Sequence, residues 1–250
     1  MGHHIADSAD LIVNAAEKDL IDRYQRLTER LRQAEAHHGR VEASVRLVAV
    51  SKTYPANHVR TVATQGQRDF GENQIQDALT KIPVLEDLGC SWHFIGPIQS
   101  NKCRDIALHF DWVHSIDRTK IAKRLSDMRP ADAEPINMFI QVNLHNEPTK
   151  SGVLPKELGV LVDEVKNLPN LSLRGLMAIP APETLFDRQR ATFARLRELL
   201  QATNREYQTN MDCLSMGMTD DLEAAVAEGA THVRVGTAIF GPRQKPASNP

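Results

Sequence analysis

In the stretch Leu47-Val48-Ala49-Val50-Ser51-Lys52, the apolar run Leu47–Val50 reads as a β-strand, and a lysine follows close on its end. Seven further runs of the same kind follow it: Arg68–Gly71, Trp92–Gly96, Trp112–Ser115, Ile136–Val142, Leu171–Ile179, Met211–Ser215 and His232–Gly236. Between them lie longer segments with helical period. Leu158, Leu161, Val162, Val165 and Leu168 form one such stripe, and Phe193, Leu196 and Leu200 another. Strands that alternate with helices predict a parallel sheet covered by helices. Eight repeats within about two hundred residues is the count that a closed (β/α)8 barrel of the TIM type requires. An open doubly wound sheet would want a glycine-rich phosphate loop after its first strand, and the pattern G-x-G-x-x-G is absent there.

Upstream of the first strand, Val13, Ala16, Leu20, Tyr24, Leu27, Leu31 and Ala34 recur at spacings of three and four, which predicts an additional N-terminal amphipathic helix. The expected organisation is therefore a helical segment 1–45 packing on the barrel, a barrel over 46–242 and a flexible tail 243–250. The histidine pairs at 3–4 and 37–38 match no metal-ligand spacing and read as surface residues. Cys90, Cys103 and Cys213 are odd in number and widely spaced, which suits small side chains in a reducing compartment. The net charge of −2 lacks the basic excess that a general nucleic-acid binder needs. No apolar run reaches the ~20 residues of a membrane span, and no basic-then-apolar secretory leader opens the chain. A cytoplasmic monomer with neither nucleic-acid nor membrane partner, and with no metal, is the expectation.

In a barrel, function collects at the C-terminal ends of the strands. Lys52 sits there. Desolvation of its stem would lower the ammonium pKa and favour attack on an aldehyde; the same position also suits a lysine that reaches water or pairs with a carboxylate. After the seventh strand comes Ser215-Met216-Gly217-Met218-Thr219, and after the eighth Gly236-Thr237. Glycines and hydroxyls at two helix starts can offer N–H and O–H groups to a phosphate, although Asp220 and Asp221 must then point away. Arg234 lies two residues before Gly236, hence on the same strand face and toward the barrel interior. It is open to two roles, a structural ion pair or a contact with a ligand.

These stretches resemble the pyridoxal-phosphate homeostasis protein family, small barrels related to the N-terminal domain of alanine racemase. The matching segments are Val48–Lys52, Phe70–Asn73, Trp92–Gly96 with Gln99 and Asn101-Lys102, Gln141–Asn143 with Glu147, Lys150 and Gly152, Gly175–Met177, Ser215–Met218 with Asp221, and Val233–Gly241. The resemblance implies pyridoxal phosphate as cofactor, held as an exchangeable Schiff base on Lys52. It further implies that Ser215, Gly217, Thr219, Gly236 and Thr237 surround the phosphate, that Arg234 faces the pyridine nitrogen, and that Asn73 lies near the ring face. Gln74 stands where the family usually has Tyr, and Thr219 where it usually has Ser.

An arginine can only donate, so a pyridine nitrogen facing Arg234 stays unprotonated and the ring is a weak electron sink. With Gly241 close to the end of the sequence, a second domain of the kind that supplies the opposing acid/base in racemases of this type is not expected. No catalytic residue is expected. The expected role is binding, buffering and delivery of the cofactor, with apo-enzymes as transient recipients. A cofactor-dependent racemase or decarboxylase, and a class I aldolase that forms its lysine imine with substrate, are the competing readings; Lys150, in a Pro148-containing loop expected to be exposed, is the alternative imine-forming lysine to Lys52.

Overall fold

A computed structural model describes residues 15–242. Val13, His3, His4 and the tail 243–250 lie outside the described residues. Eight parallel strands close on themselves in chain order: Arg46–Val50 (β1), Asp69–Glu72 (β2), Ser91–Phe94 (β3), Trp112–Ile116 (β4), Ile136–Gln141 (β5), Leu171–Met177 (β6), Cys213–Ser215 (β7) and His232–Val235 (β8). Helices Ala56–Thr64 (α2), Ile75–Lys81 (α3), Cys103–His109 (α4), Thr119–Met128 (α5), Pro155–Val165 (α6), Phe186–Tyr207 (α7) and Leu222–Ala227 (α8) alternate with the strands. The short helix Thr237–Phe240 (α9) follows β8, and Ala15–His37 (α1) precedes the barrel. This is the expected (β/α)8 barrel with its N-terminal helix.

Most strands end within two residues of their sequence reading, and the trimmed ends have physical causes. Met211 and Asp212 do not join β7, because the Asn204 side chain binds both the N–H and the carbonyl of Met211. Beyond Met177, β6 gives way to Pro180, which can donate nothing to a ladder. On α1, Leu20, Tyr24, Leu27, Leu31 and Ala34 are buried against α2, α8 and α9, whereas Ala16 is exposed. Glu35 is buried beside them. It accepts the N–H groups of Ala43 (3.0 Å) and Val45 (2.6 Å) and so aims the chain into β1.

The strand period of two sends alternate residues to two different cores. Leu47, Ala49, Phe70, Trp92, Leu214, Val233 and Val235 join the large apolar layer beneath the helices. A second, smaller cluster of Trp112, Phe139, Met177 and Cys213 stands apart from it. Three buried histidines pack against that cluster: His93 stacks on Trp112 with centroids 5.5 Å apart, His114 lies 4.5 Å from Phe139, and His232 lies 4.8 Å from Trp112.

Burial pushes all three imidazoles below their ordinary pKa, those of His114 and His232 well below it; Asp69 opposes the shift at His93. The unfolded chain, with imidazoles near ~6.5, therefore takes up protons that the folded chain refuses. Stability is full above that pH and falls as the pH drops through it, at about 1.4 kcal/mol per pH unit for each histidine. Urea midpoints should accordingly fall between pH 7 and pH 5. Among the described residues His232 Nε2 has no hydrogen-bond partner, so His232→Phe should flatten that fall without a large loss at pH 7; an unchanged slope would show that the buried histidines are not its cause.

Candidate functional site

The seam between β1 and β8 assembles the mouth. Ala49 pairs with Val235, so Val50 and Gly236 follow side by side. A Cβ on Gly236 would lie 3.1 Å from the Val50 carbonyl oxygen, which leaves little space for a side chain there. Val50 also pairs with Gly71, and the Ser51 N–H donates to the Gly71 carbonyl at 3.0 Å, bringing Lys52 level with Asn73. On the other side, the Arg234 N–H donates to the Gly217 carbonyl at 2.9 Å. Gly217 is buried at φ +93°, a conformation that favours glycine. Thr219 follows in the turn into α8, and Thr237 opens α9. Lys52, Asn73, Thr219 and Gly236 are partly exposed, and Thr237 is exposed.

The turn that carries Lys52 is clamped from below by residues that escape a reading of the sequence. Lys81 is buried and its Nζ donates to the Ser51 carbonyl, to Glu72 Oε1 and to Asp77 Oδ2, each at 2.8 Å. Ser51 Oγ donates to the same Glu72 oxygen at 2.6 Å, and Asp77 Oδ2 also accepts the Thr53 N–H at 2.9 Å. Thr53 itself has φ +69°, strained for a β-branched residue and held by these bonds. Burial raises the Glu72 carboxyl above its usual range, with Lys81 opposing. The signal for this clamp is thin: Glu72 extends an apolar strand by one charged residue, and Lys81 lies nine residues beyond it.

Arg234 points into the barrel, 5% exposed. Its Nη1 donates to Ser215 Oγ at 2.6 Å and its Nη2 to the Ala178 carbonyl at 3.0 Å. These partners are neutral, so the role of a structural ion pair does not describe it. Burial lowers the guanidinium to about 10, with Asp221 opposing, and it stays protonated at neutral pH. Asp221 occupies the position before α8 without a side-chain bond to the helix, and its carboxylate accepts the Met218 N–H at 2.6 Å. The Ser215 hydroxyl is fully buried and bonded to Arg234 and His114. It thus sits beneath the mouth, apart from the exposed Thr237.

Lys150 stands on the far side of the mouth, paired with Glu147 at 2.9 Å. It lines a cleft with Gln141, Asn143, Leu144, Ala178 and Ile179, away from the Val50–Gly236 seam. Gln74, at the cap position of α3, is exposed and makes no side-chain cap bond. Cys103 and Cys213 are buried and Cys90 is half-buried; burial pushes the Cys213 thiol up to about 11.

The family model for the alanine racemase N-terminal domain matches residues 23–244. The pyridoxal phosphate homeostasis protein of Pseudomonas aeruginosa is 57% identical over 87% of this chain and 93% of its own length. That of Escherichia coli is 46% identical over 90% of this chain and 97% of its own. Among solved structures, PipY of Synechococcus elongatus with pyridoxal phosphate bound is 36% identical, with a TM-score of 0.75 over 84% of this chain and all of that one. A barrel closed in chain order, with its strand-end lysine beside the glycine after β8, and relatives of this closeness along nearly their whole length lead to one assignment: the chain belongs to the pyridoxal phosphate homeostasis protein family, within the wider family of the alanine racemase N-terminal domain.

Proposed function

We propose that this chain binds pyridoxal phosphate at the barrel mouth and serves to hold, buffer and release it rather than to catalyse a reaction on amino acids. The observation that carries the reading is the seam that sets Lys52 and Gly236 at one end of the barrel, with a protonated arginine aimed into the interior beside them. When bound, the cofactor brings an aldehyde that condenses reversibly with a primary amine and a phosphate that seeks N–H and O–H donors. The residues fit that group. Lys52 is the amine, its turn fixed by the Lys81 clamp. Gly236 has no side chain to fill the start of α9, so the N–H groups there and the hydroxyls of Thr219 and Thr237 are the phosphate donors. Asn73 borders the ring.

Arg234 supports the non-catalytic part of the reading. It can only donate, so the pyridine nitrogen it faces stays an unprotonated acceptor, a weak sink for carbanion charge. A carrier needs none. The names of the bacterial relatives agree with this role. Transient delivery to apo-enzymes in the cytoplasm, by a monomer, completes the proposal.

Purified protein should be yellow, and borohydride should fix the cofactor on Lys52 in a peptide map; label found chiefly on Lys150 would sink the assignment. Replacing both Thr219 and Thr237 by Ala should raise the dissociation constant at least about tenfold at matched ionic strength, since a hydrogen bond to a charged group is worth about 1.5–3 kcal/mol. An unchanged constant would move the phosphate elsewhere. In deuterium oxide, Cα–H exchange across L- and D-amino acids should stay at the rate given by free pyridoxal phosphate, and saturable exchange that needs Lys52 would make the protein an enzyme.

A further inference from the structure

A chain of hydrogen bonds crosses the barrel interior beneath the mouth, from the start of β2 through β3, β4 and β7 to β8. Asp69 Oδ1 lies 2.9 Å from His93 Nε2, His93 Nδ1 3.0 Å from His114 Nε2, His114 Nδ1 2.8 Å from Ser215 Oγ, and Ser215 Oγ 2.6 Å from Arg234 Nη1. His93, His114 and Ser215 are fully buried, so water offers these groups no alternative partner.

The two ends fix the direction of every link. Burial alone would raise the Asp69 carboxyl, but His93 and Arg46, the latter at 2.7 Å, together hold it below the usual range. A carboxylate only accepts, so His93 must present a proton on Nε2. The buried ring is neutral and has one proton, which leaves Nδ1 as an acceptor. His114 must then donate from Nε2, its own Nδ1 must accept, and the Ser215 hydroxyl must donate to it. The oxygen lone pair of Ser215 is thereby turned toward Arg234. Run in reverse, the chain would set a nitrogen lone pair against the carboxylate and leave the Ser215 hydrogen without an acceptor.

We propose that Asp69, acting through His93 and His114, is a positioning residue for Arg234, and that this relay withdraws the Ser215 hydroxyl from the donors available to the phosphate. The proton positions rest on the interior geometry and on the charge states of Asp69 and His93, with no ligand involved; the consequence for the cofactor rests on the function proposed above. The two are tested separately.

Protein labelled with ring-15N histidine and free of cofactor should show, at pH 7, His93 and His114 both neutral with the proton on Nε2. In Asp69→Ala, which removes the oxygen that accepts from both Arg46 and His93, the His114 proton should redistribute toward Nδ1, a change that a merely space-filling histidine would not make. A proton on His114 Nδ1 in the unaltered protein, a doubly protonated His93, or tautomers indifferent to Asp69→Ala overturns the relay. With pyridoxal phosphate added, Asp69→Ala should shift the absorption band and weaken binding about fivefold, although Asp69 is at the opposite end of the barrel from Lys52. His114→Asn, whose carbonyl can replace the acceptor opposite Ser215, should stay near the unaltered value, while His114→Phe should follow Asp69→Ala. Should His114→Phe fail to fold, the tautomers of the unaltered protein still decide. Correct tautomers in a protein that takes up no pyridoxal phosphate would refute the proposed function and leave the relay intact.

Discussion

The pairing of β1 with β8 is the contact on which the rest of the molecule depends. Arg46 through Ala49 lie beside His232 through Val235, and this closes the sheet. Closure removes the free strand edges and sets the strand-end lysine near the start of the chain against a glycine near its end. It also creates an interior into which each inward residue must fit. That space is too dry for polar groups to rely on solvent, so each must find its partner within it.

The two sides of the sheet solve different problems. Under the helices, apolar side chains fill a continuous layer, and exchange there is a matter of volume. Inside the barrel, aromatic rings are interleaved with imidazoles, and the order of hydrogen bonds matters as much as shape. The mouth inherits its geometry from that interior: Arg234 is oriented by groups below it, while Lys52 is oriented by the Lys81, Glu72 and Asp77 clamp outside the barrel wall.

Much of this was legible in the sequence, and the reason is periodicity. Eight apolar runs alternating with helical stripes specify the barrel because parallel strands and their covering helices each repeat a simple pattern. Lys52, Gly236 and Arg234 were legible from their places relative to strand ends. Ser215 was placed at the mouth because it follows an apolar run, yet it is the last residue of β7 and its side chain is turned inward. The interior histidines carried a weak signal, since His93, His114 and His232 alternate with apolar neighbours, but a period of two cannot say which residues across the barrel will meet. The Lys81 clamp joins a helix end to a strand end, and no local pattern encodes that contact.

The packing of α1 against α8 and α9 has a consequence in time. A ribosome adds about 5–20 residues per second, so the partners of the first helix emerge on the order of ten to forty seconds after it does. Throughout that interval Leu20, Leu27 and Leu31, buried in the finished protein, have nothing of their own chain to cover that flank. The last helices complete the site and also end the period in which the nascent chain is open to chaperones and to its neighbours.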